Sequence, residues 1–345
     1  MARIARLRLS MTISILLTSI IFAAFLSVIM FILQLPIALA FVATLFFIFF
    51  QYLIGPSIVK GATHMRYLKA GENQWLESMV NELAKKSDIP APKLAIVPDD
   101  TPNAFVFGRT TADATLAVHE GLLKRLRKEE VKAVIGHELG HIKNKDYLVM
   151  TMLTALPLLA YWISWGTFEA ARWSNKGSSR KEKGDFRAAL FIVALVSYIV
   201  YIVTLLCVMG LSRLREHYSD AYSAYVTGQP RQLQSALAKI TYGLSLSPKP
   251  TTGARSFYIS DPAMAKQEFQ RIVRRKDAYD LDRDGVLDER ELQLAMEKEA
   301  KSTWTTINAW FSTHPPTFKR ILLLREIENE MSTGRYTDDR MYAQI

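Results

Sequence analysis

The chain has 345 residues, of which half are hydrophobic, and a formal net charge of +10. That length allows two domains, or one domain with a membrane part. The basic residues cluster beside long apolar runs, which favours anionic lipid headgroups over nucleic acid as the partner of this charge. The only cysteine, Cys207, excludes a disulfide framework and a thiolate metal site, and a reducing compartment is compatible with that.

The first long element is an uncharged run over residues 10–54 that is interrupted near Pro36. A membrane-spanning helix needs about 20 apolar residues, so this run predicts two spans joined by a tight turn. A cleaved signal peptide is the alternative, because Arg3, Arg6 and Arg8 precede the run. The length of the run and the lack of a closing cleavage site favour two spans.

Two further apolar runs, 147–167 and 188–211, predict a second hairpin of spans and a topology with both soluble blocks on one side. The basic flanks of the first hairpin place that side in the cytoplasm. These flanks contain Arg3, Arg6, Arg8, Lys60, Arg66 and Lys69. The basic connection 172–187 opposes this orientation, so either the first hairpin dominates or the second does not fully cross.

The soluble part is predicted to be mainly α-helical with a small β-sheet, an α+β class. Residues 72–88 have the spacing of an amphipathic helix, and short strands are predicted from 93, 103 and 114. Helical patterns in the second soluble block lie near 213–226, 231–245, 262–279, 289–300 and 316–330, with a loop at 247–253. The predicted parts are a hairpin at 1–56, a catalytic block at 57–146, a second hairpin at 147–211 and a second catalytic block at 212–345.

The segment VIGHELGHIKNKD, residues 134–146, places His137 and His141 four residues apart within a helical pattern. Both imidazoles then lie on one helix face and can bind one cation. Glu138 lies beside them, where it can take a proton from a metal-bound water, as in HExxH metalloproteases. Two helix histidines near a surface are the structural alternative, and the small and apolar neighbours favour a zinc site.

A catalytic zinc needs a third protein ligand. The continuation of a metzincin motif is excluded, because Asn144 and Tyr147 occupy the positions of its glycine and third histidine. Glu216 completes a His2Glu site in our interpretation, and Asp220, four residues on, accepts the free N–H of a ligating imidazole. His217 points about 100° away on the same helix and is the weaker candidate. Without the HExxH motif, a charged juxtamembrane helix would be the preferred interpretation.

An ordered set of motifs resembles the membrane zinc endopeptidases of the group that includes HtpX and the CAAX prenyl proteases, most closely the HtpX type. The resemblance covers nearly the whole chain. It is carried by the two apolar hairpins and by PNAFVFG at 102–108, GHELGHIKNKD at 136–146, SRLREHYSD at 212–220 and STHPPTFKRI at 312–321. One departure is Ser219, where such peptidases usually have alanine.

The resemblance implies a gluzincin-like protease domain that binds one Zn²⁺ through His137, His141 and Glu216, with Glu138 as the general base. It also implies that an edge strand of Asn103, Ala104 and Phe105 pairs with an extended substrate. His314 and Arg320 are implied to steady the oxyanion and the ligand carboxylate. For the HPP motif, two prolines that simply start a helix are the structural alternative.

Residues 280–291, DLDRDGVLDERE, match the calcium loop of an EF-hand. The predicted Ca²⁺ ligands are Asp280, Asp282, Asp284, Val286, Asp288 and Glu291. An acidic surface loop is the structural alternative, and a single hand without a partner is expected to bind weakly. We expect calcium to rigidify the segment between Glu216 and His314.

The sequence therefore predicts an integral membrane zinc endopeptidase of the inner or plasma membrane, with its catalytic site facing the cytoplasm. Its expected substrates are misfolded or damaged membrane proteins, a quality-control role implied by the resemblance. Maturation of a prenylated C-terminus is an alternative that four spans disfavour. A membrane calcium-sensing adaptor with a vestigial protease site is a second alternative, which the intact motifs disfavour.

Overall fold

The computed structural model describes most of the chain, namely residues 2–32, 36–173, 182–245, 259–260, 262–279, 281, 289–310, 312–334, 336 and 341. The loop predicted at 247–253 lies outside these residues. So do positions 280 and 282–288 of the predicted calcium loop. Glu291 lies in a helix, but its side chain is not described.

The described residues form twelve α-helices. Their bounds are α1 Ala2–Ile32, α2 Ile37–Thr63, α3 Gln74–Lys86, α4 Glu120–Arg125, α5 Lys128–Lys143, α6 Asp146–Trp173, α7 Glu182–Thr227, α8 Pro230–Ser245, α9 Pro262–Arg274, α10 Glu289–Ala300, α11 Thr303–Trp310 and α12 Thr317–Ser332. The strands are β1 Arg66–Tyr67, β2 Lys93–Val97, β3 Ala104–Phe107 and β4 Thr115–His119. This confirms a mainly α fold with a small sheet.

Four helices are long and apolar enough to cross a membrane. The candidate spans are Thr12–Phe31, Phe41–Thr63, Asp146–Trp173 and Phe186–Thr227. They confirm the predicted number of spans, although the helices are longer than the apolar runs. In particular, the helix predicted near 213–226 is not separate, because α7 continues from Glu182 to Thr227 without interruption.

Contacts divide the chain into two units. The first contains Met1–Ala5, Ser57–Leu148 and Ser212–Ile345, and the second contains Arg6–Pro56 and Val149–Leu211. In the second unit, Phe22 and Phe25 of α1 pack with Leu156 of α6 and Val193 of α7. Gln51 in α2 donates through Nε2 to the Thr151 carbonyl at 3.1 Å, which joins α2 to α6.

The sheet of the first unit has the strand order β1-β2-β4-β3. β2 and β4 are parallel, whereas β1 and β3 pair antiparallel with their neighbours. Alternate side chains cover one face of the sheet, among them Ala95, Phe105 and Ala117. Helix α5 lies against β3. The edge strand β3 therefore packs beside the HExxH helix.

Helix α5 begins with a local cap. The carboxylate of Glu130 accepts the backbone N–H of Arg127 at 2.8 Å, which satisfies one of the donors that a helix leaves unpaired at its start. At the other end, the Asn144 N–H donates to the Gly140 carbonyl at 3.0 Å, and Lys145 adopts a left-handed φ of 57°. Helix α5 therefore ends here, and α6 begins at Asp146, the residue after Lys145.

Candidate metal centre

Small residues let helices α5 and α7 approach closely. A Cβ added to Gly140 would lie 3.2 Å from Ser219 Cα, and one added to Gly136 would lie 3.2 Å from Ser223 Oγ. The two glycines are four residues apart on α5, and the two serines are four residues apart on α7. Each helix therefore presents its two small residues on one face, and these faces contact each other. The Ser223 hydroxyl also donates to the Ala133 carbonyl at 2.6 Å. The close packing brings the HExxH side chains within reach of α7.

Three potential ligands converge at this helix contact. His137 Nε2 and His141 Nε2 lie 3.2 Å apart. The carboxylate of Glu216 lies 3.4 Å from His137 Nε2 and 3.3 Å from His141 Nε2. The ligand atoms of all three residues fall within 4.8 Å of one another. Among the described residues, Glu216 Oε2 is a buried oxygen without a hydrogen bond.

These distances fit a zinc ion. Two nitrogens at the usual distance of about 2.0–2.1 Å from a tetrahedral zinc are roughly 3.3 Å apart, close to the separation of the two Nε2 atoms. Two imidazoles and one carboxylate are the donor set of a His2Glu catalytic site, which leaves a fourth position for water. The buried carboxylate oxygen without a hydrogen bond is also explained if it faces a cation.

The Nδ1 atoms of both histidines contact carboxylates. His137 Nδ1 lies 2.9 Å from Asp220 Oδ1, the partner that the sequence suggested. His141 Nδ1 lies 2.7 Å from Asp146 Oδ2, a contact that sequence reasoning missed. The available signal was an acidic residue five positions after His141, but only the left-handed turn at Lys145 makes that contact possible. Such carboxylates orient metal-binding histidines.

Glu138 is 3% exposed. Burial raises the pKa of this carboxyl to about 6, against the opposing effect of the neighbouring histidines. Burial alone lowers the pKa of His137, but the neighbouring carboxylates of Asp220 and Glu216 outweigh it and raise the pKa overall. The site thus combines a poorly solvated carboxyl with ring nitrogens held by acids.

Helix α12 and the segment before it contribute two more buried groups. His314 Nε2 lies 3.7 Å from Glu216 Oε1, and the guanidinium of Arg320 lies 3.4 Å from Glu216 Oε2. Arg320 also forms a two-point ion pair with Asp220, at 2.7 and 2.8 Å. Burial lowers the pKa of Arg320, but Asp220 outweighs burial and raises it. The structure therefore brings both residues to Glu216.

The predicted substrate strand overlaps β3, an edge strand of the sheet, which begins at Ala104, one residue after Asn103. Phe105 is opposite Ala117 in the antiparallel pair of β3 and β4. The Asn103 side chain is buried and accepts the Ile259 N–H at 3.0 Å, while the Ile259 carbonyl accepts from Arg320. The Asn103 side chain therefore holds the backbone at Ile259 next to Arg320, a role that the NAF motif alone did not indicate.

Comparisons with known proteins identify relatives of this chain. The family model for peptidase family M48 matches residues 70–328. The Protease HtpX homolog of Thermococcus sibiricus is 33% identical over 296 residues, covering 85% of this chain and 87% of the relative. That of Methanothermobacter thermautotrophicus is 40% identical over 210 residues, covering 60% and 75%. A crystal structure of S. mikatae Ste24p matches with a TM-score of 0.49 and 16% identity, covering 93% of this chain and 67% of that one.

Together with these relatives, the His-His-Glu centre and the four candidate spans define an integral membrane zinc metalloprotease, a hydrolase that acts on peptide bonds. The match to the family model extends over more than half of the chain. The chain belongs to peptidase family M48, and the resemblance to HtpX-type peptidases is confirmed. These findings favour an enzyme over an adaptor with a vestigial protease site.

Proposed function

We propose that this peptidase cleaves misfolded or damaged membrane proteins at a single zinc site. His137, His141 and Glu216 hold the zinc, and Glu138 acts as the general base. The observation that carries the proposal is the convergence of the three ligand side chains within 4.8 Å beside a buried Glu138. When bound, the zinc supplies a Lewis acid for the scissile carbonyl and lowers the pKa of the attacking water.

The protein's own groups move the proton and stabilise charge. Glu138 removes a proton from the attacking water and delivers it to the leaving amine. His314, which lies beside Glu216, donates a hydrogen bond to the carbonyl oxygen as negative charge develops there. Arg320 holds Glu216 and Asp220 in place through ion pairs and does not itself react.

Recognition of the substrate involves the outer strand β3. Its position at the sheet edge, next to α5, suits the addition of an extended peptide as a further strand. Main-chain hydrogen bonds would then supply affinity with little dependence on substrate sequence. Asn103, Ala104 and Phe105 remain the residues to which we assign this role. The basic flanks of the first hairpin support a cytoplasmic catalytic site.

Metal content and proteolysis test the zinc assignment together. We expect about one zinc per chain in the detergent-purified wild type, measured by mass spectrometry, and cleavage of casein. Glu216→Ala should lose both zinc and activity, whereas Glu138→Gln should retain zinc and lose activity. His217→Gln changes the residue next to Glu216 and serves as the matched control, with its zinc retained. Zinc retention by Glu216→Ala would show that another residue is the third ligand.

The calcium loop at 280–291 remains a separate proposal. Its flanking helices are tied together within the described chain: Arg271 of α9 and Tyr279 each donate to Glu299 of α10 at 2.7 Å. Calcium binding between two joined helices would rigidify this part of the second catalytic block.

Thermal melting and casein cleavage in saturating calcium, compared with a chelator and with magnesium, test the calcium proposal. We expect calcium to raise both the melting temperature and the cleavage rate of the wild type but not those of Asp282→Asn. A melt that changes while proteolysis does not would limit calcium to a structural role, and no change in either would refute the proposal.

A further inference from the structure

Two buried charged residues, Asp146 and Arg215, lie on the side of His141 that faces away from the ligand cluster. Asp146 Oδ2 lies 2.7 Å from His141 Nδ1. Asp146 Oδ1 lies 2.9 Å from Arg215 Nε, an ion pair without the geometry of a hydrogen bond. On the other side of the centre, Asp220 joins His137 to Arg320 in the same order of histidine, acid and arginine. Each zinc histidine thus has its own acid and its own arginine.

Burial makes the ion pair of Asp146 with Arg215 costly. Asp146 is 1% exposed and Arg215 is 4% exposed. A buried ion pair often contributes little to stability, because desolvation of the two charges offsets their attraction. Two such charges are therefore poorly explained by stability alone. Their contact with a metal-binding histidine offers a functional explanation.

Local structure places both groups. Asp146 is the first residue of α6, where the positive end of the helix dipole stabilises a carboxylate. The left-handed turn at Lys145 returns the chain toward His141. Arg215 directly precedes Glu216 in α7, so adjacent residues of one helix reach the zinc site and the acid behind it. A shift of α7 would disturb both contacts together.

We propose that Asp146 and Arg215 are positioning residues for zinc binding, an inference that rests on the proposed zinc site. Asp146 accepts the Nδ1–H of His141, which fixes the tautomer with its free Nε2 lone pair directed at the metal. Arg215 holds the Asp146 carboxylate in the orientation that this hydrogen bond needs. Neither residue touches substrate or takes part in the reaction.

Ser219 gives the proposal a specific signature. Its hydroxyl lies 3.0 Å from the same His141 Nδ1 and is an alternative acceptor for this proton. Loss of Asp146 should therefore be partly compensated by Ser219. In a double-mutant cycle, Ser219→Ala should have a small effect alone and a larger effect when combined with Asp146→Asn.

The experiment compares Asp146→Asn and Arg215→Gln with the wild type as full-length protein in detergent. Zinc affinity is measured by competition with a chelator, and the geometry of the centre by the visible absorption of Co²⁺ loaded in place of zinc. We expect Asp146→Asn to lower affinity by about 10- to 100-fold and to change the cobalt spectrum. Arg215→Gln should cause a smaller loss of the same kind, and Arg215→Lys, which keeps the positive charge, should recover part of it.

Glu130→Gln is the matched control, because Glu130 is also a buried acid of this unit and pairs with Lys239. It should lower the melting temperature while zinc affinity and the cobalt spectrum stay unchanged. The inference is overturned if Asp146→Asn binds metal like the wild type, or if Glu130→Gln weakens binding equally. If Asp146→Asn fails to fold, Arg215→Gln decides by the same criteria.

The two proposals fail in different ways. If Glu216→Ala loses zinc while Asp146→Asn and Arg215→Gln keep wild-type affinity and spectrum, the zinc site stands and only the positioning role is wrong. If Glu216→Ala keeps its zinc while Asp146→Asn and Arg215→Gln still weaken binding, the third ligand is misassigned and the positioning of His141 stands.

Discussion

The close contact of α5 with α7 makes Gly140→Ala an informative substitution. The new methyl group would lie 3.2 Å from three atoms: Ser219 Cα, Ser219 Oγ and Tyr222 Cδ1. Carbon atoms prefer separations of about 3.5–4.0 Å, so the helices must move apart by roughly 0.3–0.8 Å. One of the three atoms is backbone, so rotation of a side chain cannot relieve every contact.

Two opposing energies decide the effect on stability. Alanine favours a helix interior over glycine by about 1 kcal/mol. Overpacking a close contact costs about 1–3 kcal/mol. We expect Gly140→Ala to be destabilised by roughly 1 kcal/mol, a fall in melting temperature of about 2–4 °C for a domain of this size.

The effect on metal binding should be larger than the effect on stability. Movement of α7 carries Glu216 away from His137 and His141, whose nitrogens lie only 3.4 and 3.3 Å from its carboxylate. Metal sites tolerate errors of about 0.2 Å in ligand distances, so we expect zinc affinity to fall by about tenfold or more.

Chelator competition and thermal melts of the same samples measure the two effects of Gly140→Ala. Gly61→Ala is the matched control, since Gly61 also lies within a helix but a Cβ there meets no atom within 4 Å. This control should keep wild-type zinc affinity. Wild-type affinity in Gly140→Ala, with an unchanged or raised melting temperature, would refute the reasoning, because the helices would then have adapted without moving Glu216.

Three further predictions concern the surroundings of the centre. Burial raises the pKa of Glu130, but hydrogen bonds from Lys239 outweigh it and lower the pKa to about 2. Because solvent screens the partly exposed Lys239, Glu130 should stabilise the fold by about 1–3 kcal/mol above pH 5. It should lose this contribution between about pH 5 and 2, so melts of wild type and Glu130→Gln should converge on acidification. Glu268 accepts the Thr317 N–H at 3.1 Å at the start of α12. Glu268→Ala should therefore lower the free energy of unfolding by about 1–3 kcal/mol in a denaturant melt. An equal loss in Glu268→Gln would contradict this role. Lys145→Gly should raise the melting temperature, because glycine adopts the left-handed φ of 57° without the penalty of about 1–2 kcal/mol.

Periodic patterns predicted the local elements well. The spacing of apolar residues indicated α3, where Leu76, Val80 and Leu83 are buried, and short apolar segments from 93, 103 and 114 indicated strands β2 to β4. The same reasoning proposed Glu216 and Asp220 from their separation of four residues. The predictions of the elements succeeded because each depends only on neighbours within one or two turns or one strand.

Features that leave no periodic signal in the sequence were missed. The prediction separated the fourth span from the helix that carries Glu216, because polarity changes near residue 211, yet polarity does not end a helix and α7 continues. The short strand β1 and helix α11 are too brief for a periodic signal. The contact of Asp146 with His141 depends on a left-handed turn at a lysine, where glycine is the usual residue.

The position of β3 at the sheet edge has a consequence for the choice of cleavage sites. A peptide can add to an edge strand only when it is extended, so a helical or folded segment must first open locally. Each 1.4 kcal/mol or so of local stability then reduces the cleavable population about tenfold. On the proposed role, cleavage sites should map the least stable segments of a substrate rather than a consensus sequence, and the same polypeptide would be spared when well folded and cut when damaged.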